Sequence, residues 1–434
     1  MATPIIFKGL TYLGGLVVAR RVYNYFMGEE NVSDKEIAKG SNGTVIFDGS
    51  YGPQPARKAA VKRVVRVSSN VSCEEYNMYM EADGINNIVR CYGMESDRRY
   101  VYLFLEPCIC SLKDLVQIYS PYALPIFPSE SEKTHLISVK NVLGNRVTLW
   151  TEDDYPSPLL LKLMRDVVCG LMNLHENKIV HLNLAPQNIL ITGKTPNLCA
   201  KLSDMAKSKK FKGENSSSSH YATYSEQLQF HDEAAKDLFL LGNILSFFFH
   251  GGSYPFSNPP ERCYASVSPP EAADLISQLI SRSAHMRPKA IDAYHHPLFW
   301  NSDKKLSFLC DTSDKVKGNK QGQLSKELKK LQDQVIGSSW NTKIDSRLIS
   351  ANEGRNQYNY ENFLDLLRLV RNYFHHYLEL QEDIKELLGS KPEGYCEYFE
   401  RRFPKLVIEV YKVVGKFCKE DDGFQKYFHS NLVE

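Results

Sequence analysis

The sequence predicts an α+β fold in two parts: a strand-rich beginning that gives way to helices, followed by an all-α C-terminal domain. Three observations carry this. From Lys35 to Gly49 apolar and small residues alternate around Gly40-Ser41-Asn42-Gly43-Thr44-Val45, as strand, glycine turn and strand do. From Leu159 to Asn177 the apolar residues recur at helical spacing instead. After Trp300 more than a hundred residues keep a helical periodicity with no strand-like run. A chain of 434 residues, 43% of them apolar, is long enough for two or three domains with substantial cores and is not a disordered protein.

Charge and cysteine content narrow the function classes. A formal charge of +2 gives no general nucleic-acid signal, so any RNA contact has to come from a local site. The ten cysteines are scattered, and the close pair Cys108 and Cys110 has no partner pair at zinc spacing, which points to a reducing compartment without a metal framework. Residues 1–30 form a segment of their own. The run Ile5 to Val18 is apolar apart from Lys8, rich in small residues, and followed by Arg20-Arg21, a flank that suits the cytosolic side of a membrane. It is shorter than the roughly 20 apolar residues a span needs. An interfacial anchor, an amphipathic lead-in helix and a true span all remain open.

Taken in order, the remaining motifs gain specificity from their spacing. The turn at Gly40 and Gly43 suits a loop whose backbone N–H groups approach phosphates, although an ordinary hairpin reads the same way. Ala59-Ala60-Val61-Lys62 reads as a strand ending in a lysine, and Glu75, in the helical segment Cys73 to Ala82, stands where it would pair with Lys62. Each alone is an ordinary surface charge. A strand from Tyr100 to Leu105 leads into Glu106-Pro107-Cys108 as a hinge. Tyr119 to Pro158, rich in Pro and Ser, reads as an irregular insertion between two helices. Then come His181-Leu182-Asn183-Leu184-Ala185-Pro186-Gln187-Asn188 and Leu202-Ser203-Asp204-Met205-Ala206. The chain continues through Ser216-Ser217-Ser218-Ser219, a phosphorylation site or simply a flexible loop, to Tyr224-Ser225-Glu226. Asp237, Leu238, Gly242, Arg287-Pro288 and His296-Pro297-Leu298-Phe299-Trp300 follow, with structural roles expected for Asp237 and Arg287.

This series resembles the bilobal protein kinase family over residues 31–300, with an insertion near 119–158. In that family the loop H-R-D-L-x-x-x-N supplies an Asp that accepts the substrate proton and an Asn that holds Mg²⁺. Asn183 stands at the position of that Asp. An amide positions a hydroxyl but takes no proton near neutral pH. Ala185 replaces a lysine that usually faces the transferred phosphate. Ala38 stands where the first glycine of the phosphate loop belongs, and Met205-Ala206 replaces Phe-Gly, removing a flexible backbone point. The resemblance implies ATP or ADP held by Gly40, Gly43, Lys62, Glu75, Glu106 and Cys108, with Mg²⁺ on Asn188 and Asp204, and phosphoryl transfer lost.

Residues 301–434 carry a second signature. Tyr358, Leu364-Asp365-Leu366-Leu367-Arg368, Arg371-Asn372-Tyr373-Phe374-His375-His376-Tyr377 and Arg402-Phe403-Pro404 together resemble the KEN-type ribonuclease domain of the inositol-requiring kinase/endoribonucleases of the unfolded-protein response, and more distantly ribonuclease L. With only about thirty residues before the kinase-like part, the chain looks like a short form of that enzyme without the lumenal sensor. The resemblance implies metal-independent RNA cleavage by Tyr358, Arg371, Asn372 and His376, on RNA stem-loops, when kinase bodies pair. Histidine titrates near neutrality and arginine grips phosphate through a planar fork, whereas a phenol is a weak base at neutral pH. Asn372 and His376, four apart, are expected on one helix face. Tyr373 stands where the family often has Lys, and either alters the RNA grip or blocks the pocket. The resemblance also implies a homodimer or a heterodimer with active relatives and the cytosolic face of the endoplasmic reticulum membrane, a cytoplasmic location being the alternative. An inactive pseudokinase/pseudoribonuclease that binds nucleotide and modulates active relatives is the alternative function.

Overall fold

The computed structural model describes residues 31–428 apart from 40–43, 54, 67–68, 121–129, 152–154, 212–223, 253–267, 319–320 and 352–356. The apolar N-terminal run, the glycine pair Gly40 and Gly43, and the serine run Ser216 to Ser219 lie outside the described residues. No helix among the described residues is long and apolar enough to cross a membrane. The chain divides into two compact units, Met1–Thr148 with Cys169–Asp237, and Leu149–Val168 with Leu238–Glu434.

In the first unit the alternating pattern becomes a five-stranded antiparallel sheet in the order β1-β2-β3-β5-β4: β1 (Asn31–Lys39), β2 (Val45–Tyr51), β3 (Arg57–Val65), β4 (Cys91–Ser96) and β5 (Tyr100–Leu105). Register puts Lys62 opposite Ile46 on one side and Leu103 on the other. Phe47, Ala59, Val61 and Phe104 fill one core cluster of the sheet. Helix α1 (Ser69–Glu81) follows β3, buries Glu75 and Tyr79, and meets the turn at Met205–Lys207.

Beyond the hinge, β6 (Cys110–Ser111) leads into α2 (Leu112–Tyr119), whose start is fixed by a capping box: Ser111 accepts from Asp114 N–H while the Asp114 carboxylate accepts from Ser111 N–H. The segment expected to be irregular then holds α3 (Glu130–Leu143). Val139 and Leu143, one turn apart, are buried, and His135 Nε2 lies 3.5 Å from Asp114 of α2. Glu130 and Glu132 in the first turn and Lys140 in the last complement the helix dipole, a signal that the polar composition of the stretch hid. Helix α4 (Pro158–Glu176) matches its periodicity. After it come β7 (Ile179–Val180), the hairpin β8 (Ile189–Lys194) and β9 (Asn197–Leu202), and β10 (Lys209–Lys210), paired with β7.

Helix α5 (Tyr224–Phe249) opens at the expected Tyr224-Ser225-Glu226. In the second unit α6 (Pro270–Leu279) and α7 (Ala290–Tyr294) precede α8 (Ser302–Gly318), α9 (Gln323–Lys329), α10 (Ser346–Ser350), α11 (Phe363–His375), α12 (Glu382–Leu388), α13 (Glu393–Arg402), α14 (Leu406–Phe417) and α15 (Asp422–Phe428). Helix α8 touches α11, α13 and α14. Trp300 packs edge-on against Phe308 at 5.1 Å and Tyr411 at 5.6 Å. Asp274 of α6 receives His296 at 3.2 Å and Lys412 of α14 at 2.7 Å. These contacts explain why the segment just before residue 301 shares a unit with the helices after it.

Candidate functional site

The first candidate site gathers on Lys62. Its Nζ lies 2.8 and 3.0 Å from the Glu75 carboxylate oxygens and 2.8 Å from Asp204 Oδ1. Burial alone lowers a lysine's pKa, but Glu75, with Tyr79 and Asp204, outweighs it and holds Lys62 above its ordinary value. The ammonium is therefore charged. Asp204 adopts the left-handed backbone, φ 64°, a conformation that an aspartate tolerates better than most residues. Its N–H donates to the buried Tyr79 hydroxyl at 3.0 Å. Met205, where the kinase pattern has Phe, remains fully buried and keeps the apolar anchor.

The loop from His181 to Asn188 is held from beneath by Asp237, which is fully buried. The Asp237 carboxylate accepts the N–H groups of His181 at 2.7 Å and Leu182 at 2.6 Å. Leu182 has φ 59°, a strained value for this residue. Burial pushes the pKa of His181 down. The geometry fits a neutral ring, with Nε2–H donating to the Ser203 carbonyl at 3.0 Å and Nδ1 accepting from Asn183 N–H at 3.3 Å. Asn183 Nδ2 donates to Asp204 Oδ2 at 2.5 Å, and Asn188 Nδ2 donates to the Asn183 carbonyl at 2.8 Å. Both Asp204 oxygens thus already accept from donors. A divalent cation would have to share that carboxylate with the Lys62 ammonium and the Asn183 amide, so these residues, as arranged, fit one poorly. At the hinge, Glu106 pairs with Lys201 at 2.7 Å, and burial pushes the Cys108 thiol up to about 12, away from reactive thiolate character.

The second candidate site is built on α11. Asn362 caps its start by accepting from Leu364 N–H, and Phe363, Leu366, Leu367 and Val370 form the buried stripe. That stripe fixes where Arg371 and Asn372 emerge. Asn372 Nδ2 donates to the Tyr358 hydroxyl at 2.9 Å, and its Oδ1 accepts from Arg371 Nη2 at 2.8 Å. Arg371 Nη1 pairs with Asp314 of α8 at 2.5 Å. The Arg368 guanidinium lies over the Tyr358 ring, 4.4 Å from its centroid, while Trp340 meets that ring edge-on. Tyr358, Arg371 and Asn372 are therefore joined.

The His376 backbone agrees with the four-residue spacing from Asn372, but its ring does not join the cluster. His376 caps the C-terminus of α11, with its N–H donating to the Asn372 carbonyl at 3.0 Å, one helical turn from Asn372. Its exposed ring turns to Glu379 at 3.1 Å, and among the described residues no hydrogen bond joins it to the other three. Tyr373 does not block a pocket: it is buried in the core, with its hydroxyl donating to the Leu348 carbonyl. Asp314, Glu379 and Tyr79 were missed by the sequence reading, which had Arg368 only as part of a motif. Only Glu379, three residues after His376, carried a local spacing signal.

Strands with a lysine–glutamate pair, the loop above Asp237, and the helical cluster at Tyr358 together define a protein kinase domain followed by a ribonuclease domain. Comparison with known families agrees: residues 32–299 match the protein kinase domain family and residues 305–428 the ribonuclease 2-5A family. The chain is 42% identical over 430 residues to the serine/threonine-protein kinase/endoribonuclease IRE1b of Arabidopsis thaliana, covering 93% of this chain and 48% of that protein. It is 34% identical over 459 residues to the inactive serine/threonine-protein kinase/endoribonuclease IRE1-like of the same plant, covering 96% and 80%. It is 28% identical over 443 residues to the sensor for unfolded proteins in the ER ire1 of Schizosaccharomyces pombe, covering 90% and 38%. The chain belongs to this kinase/endoribonuclease family of the unfolded-protein response. It spans about half the length of the first of these relatives and less of the third.

Proposed function

We propose that this chain is a metal-independent endoribonuclease on a kinase body that no longer transfers phosphate, and that pairing of two copies makes it competent on RNA stem-loops. One contrast carries the reading. Tyr358, Asn372 and Arg371 stand hydrogen-bonded in one cluster, whereas Asn183, at the kinase base position, is committed to Asp204. In the reaction the RNA 2′-oxygen attacks the adjacent phosphorus and gives up its proton, the bond to the 5′-oxygen breaks, and that oxygen takes a proton. The products are a 2′,3′-cyclic phosphate and a 5′-hydroxyl. Arg371 steadies the phosphate, Tyr358 and Asn372 hold the attacking hydroxyl, and His376, paired with Glu379, serves the leaving oxygen. The kinase body binds ATP or ADP at Lys62 and the hinge Glu106 to Cys108. The family and the run Ile5 to Val18 support a place on the cytosolic face of the endoplasmic reticulum membrane, which fractionation against a chain beginning at Glu29 tests.

Concentrated protein incubated with a hairpin RNA in EDTA is expected to yield ends with a 2′,3′-cyclic phosphate, and His376→Ala to abolish them with the dimer intact. With labelled ATP no autophosphorylation is expected, since loss of a general base costs about 10²–10⁴ in rate. A second reading, an inert nucleotide-binding partner that modulates active relatives by dimerising, draws support from the likeness to the Arabidopsis relative described as inactive. Wild type and His376→Ala equally inert at concentrations where the dimer is demonstrated would favour it.

A further inference from the structure

We infer that the kinase-like pocket takes an adenine nucleotide without a divalent cation, and that Asn183 is the residue that makes the metal dispensable. This rests on the reading that the pocket binds nucleotide. In a working kinase site the metal ions bridge the phosphates to carboxylates and neutralise the charge between them. In this chain the same task at Asp204 is already done by hydrogen-bond donors. Lys62 Nζ takes Oδ1 at 2.8 Å and the Asn183 amide takes Oδ2 at 2.5 Å.

One further feature fixes the backbone that carries Asp204. Its backbone N–H is fastened to the hydroxyl of Tyr79, a fully buried side chain that also meets Ser203 Oγ at 3.3 Å. Replacing an aspartate by Asn183 also removes one of the negative charges that would otherwise face a bare triphosphate across the site. Lys62, kept charged by its two carboxylates, is the cation left for the phosphates. Asn183 thus acts as a positioning residue, and the loop that lost a proton acceptor gained a donor aimed at the neighbouring carboxylate.

The test is calorimetric titration of the full chain with ATP, in magnesium and in EDTA. Wild type is expected to bind with affinities within about two-fold of one another in the two buffers. Asn183→Asp places a second carboxylate against Asp204 and is expected to weaken EDTA binding by about ten-fold or more, with magnesium restoring it. Asn183→Ala, which frees Asp204 Oδ2 without adding charge, serves should the aspartate variant fail to fold, and is expected to bind better in magnesium than in EDTA. Wild-type binding that requires magnesium overturns the inference while leaving the nucleotide reading intact. Absence of binding in both buffers overturns the nucleotide reading, and this inference with it.

Discussion

Asp314 shows how a single exposed charge acts through geometry rather than stability. Its side chain is 53% exposed, so its ion pair with Arg371 adds only about 0–1 kcal/mol to folding. Yet Arg371 is held from two sides, by Asp314 and by Asn372, and a small misplacement of a phosphate-binding group costs roughly 10²-fold in rate. Asp314→Ala is therefore expected to leave the melting temperature nearly unchanged while lowering RNA cleavage by about ten-fold or more, with Asp314→Glu recovering part of it. A parallel fall in melting temperature and cleavage would mean that the residue is structural. The distinction is open to measurement because Asp314 lies outside the Tyr358–Asn372 pair proposed to hold the attacking hydroxyl.

At the scale of elements, the loop His181 to Asn188 depends on the helix that carries Asp237. That carboxylate satisfies one buried and one part-buried N–H group and meets His175 Nε2 at 3.1 Å, which offsets the strained φ of Leu182. Asp237→Ala orphans both donors at once, and a buried unsatisfied group costs about 1–3 kcal/mol each, so the loss in chemical denaturation is expected to be roughly 2–6 kcal/mol. Asp237→Asn, which keeps one acceptor oxygen, is expected to lose less. A loss under about 0.5 kcal/mol for the alanine variant would remove Asp237 from this role.

What was legible in the chain follows the same scale. Strand alternation and helical spacing are local, so β1 to β3, β5, α4, α8 and the stripe of α11 could be read from neighbours a few residues apart. Helix α3 was hidden because its apolar residues do not make one clean stripe: Val139 and Leu143 are buried while Ile137 and Val142 are exposed. The pairings that give the sites their chemistry are long-range: Asn183 with Asp204 spans 21 residues, Tyr79 with Asp204 spans 125, and Arg371 with Asp314 spans 57. Residue types and order suggested which groups belong to a site. They did not say that an amide would cap the carboxylate, or that the His376 ring would turn to Glu379.

Across the whole molecule, each unit contains a buried imidazole with its pKa depressed by burial: His181 in the first and His296 in the second. Both are built as neutral rings. His296 Nδ1 accepts from Leu298 N–H, just as His181 Nδ1 accepts from Asn183 N–H, so a second proton would cost an acceptor as well as a desolvated charge. Above about pH 6.5 neither the folded nor the unfolded imidazole is protonated and the full stability is present. As pH falls through that value the unfolded chain takes up protons that the folded chain refuses, and stability drops by up to about 1.4 kcal/mol per pH unit for each group until the folded pKa is reached. His135, raised by its hydrogen bond to Asp114, works in the opposite sense and is lost as pH rises through its folded value. Denaturant midpoints measured from pH 7.5 to 5 are thus expected to fall, and His181→Gln, which keeps a donor for the Ser203 carbonyl and has no titrating proton, is expected to flatten that fall. An unchanged slope in His181→Gln would place the acid sensitivity elsewhere in the chain.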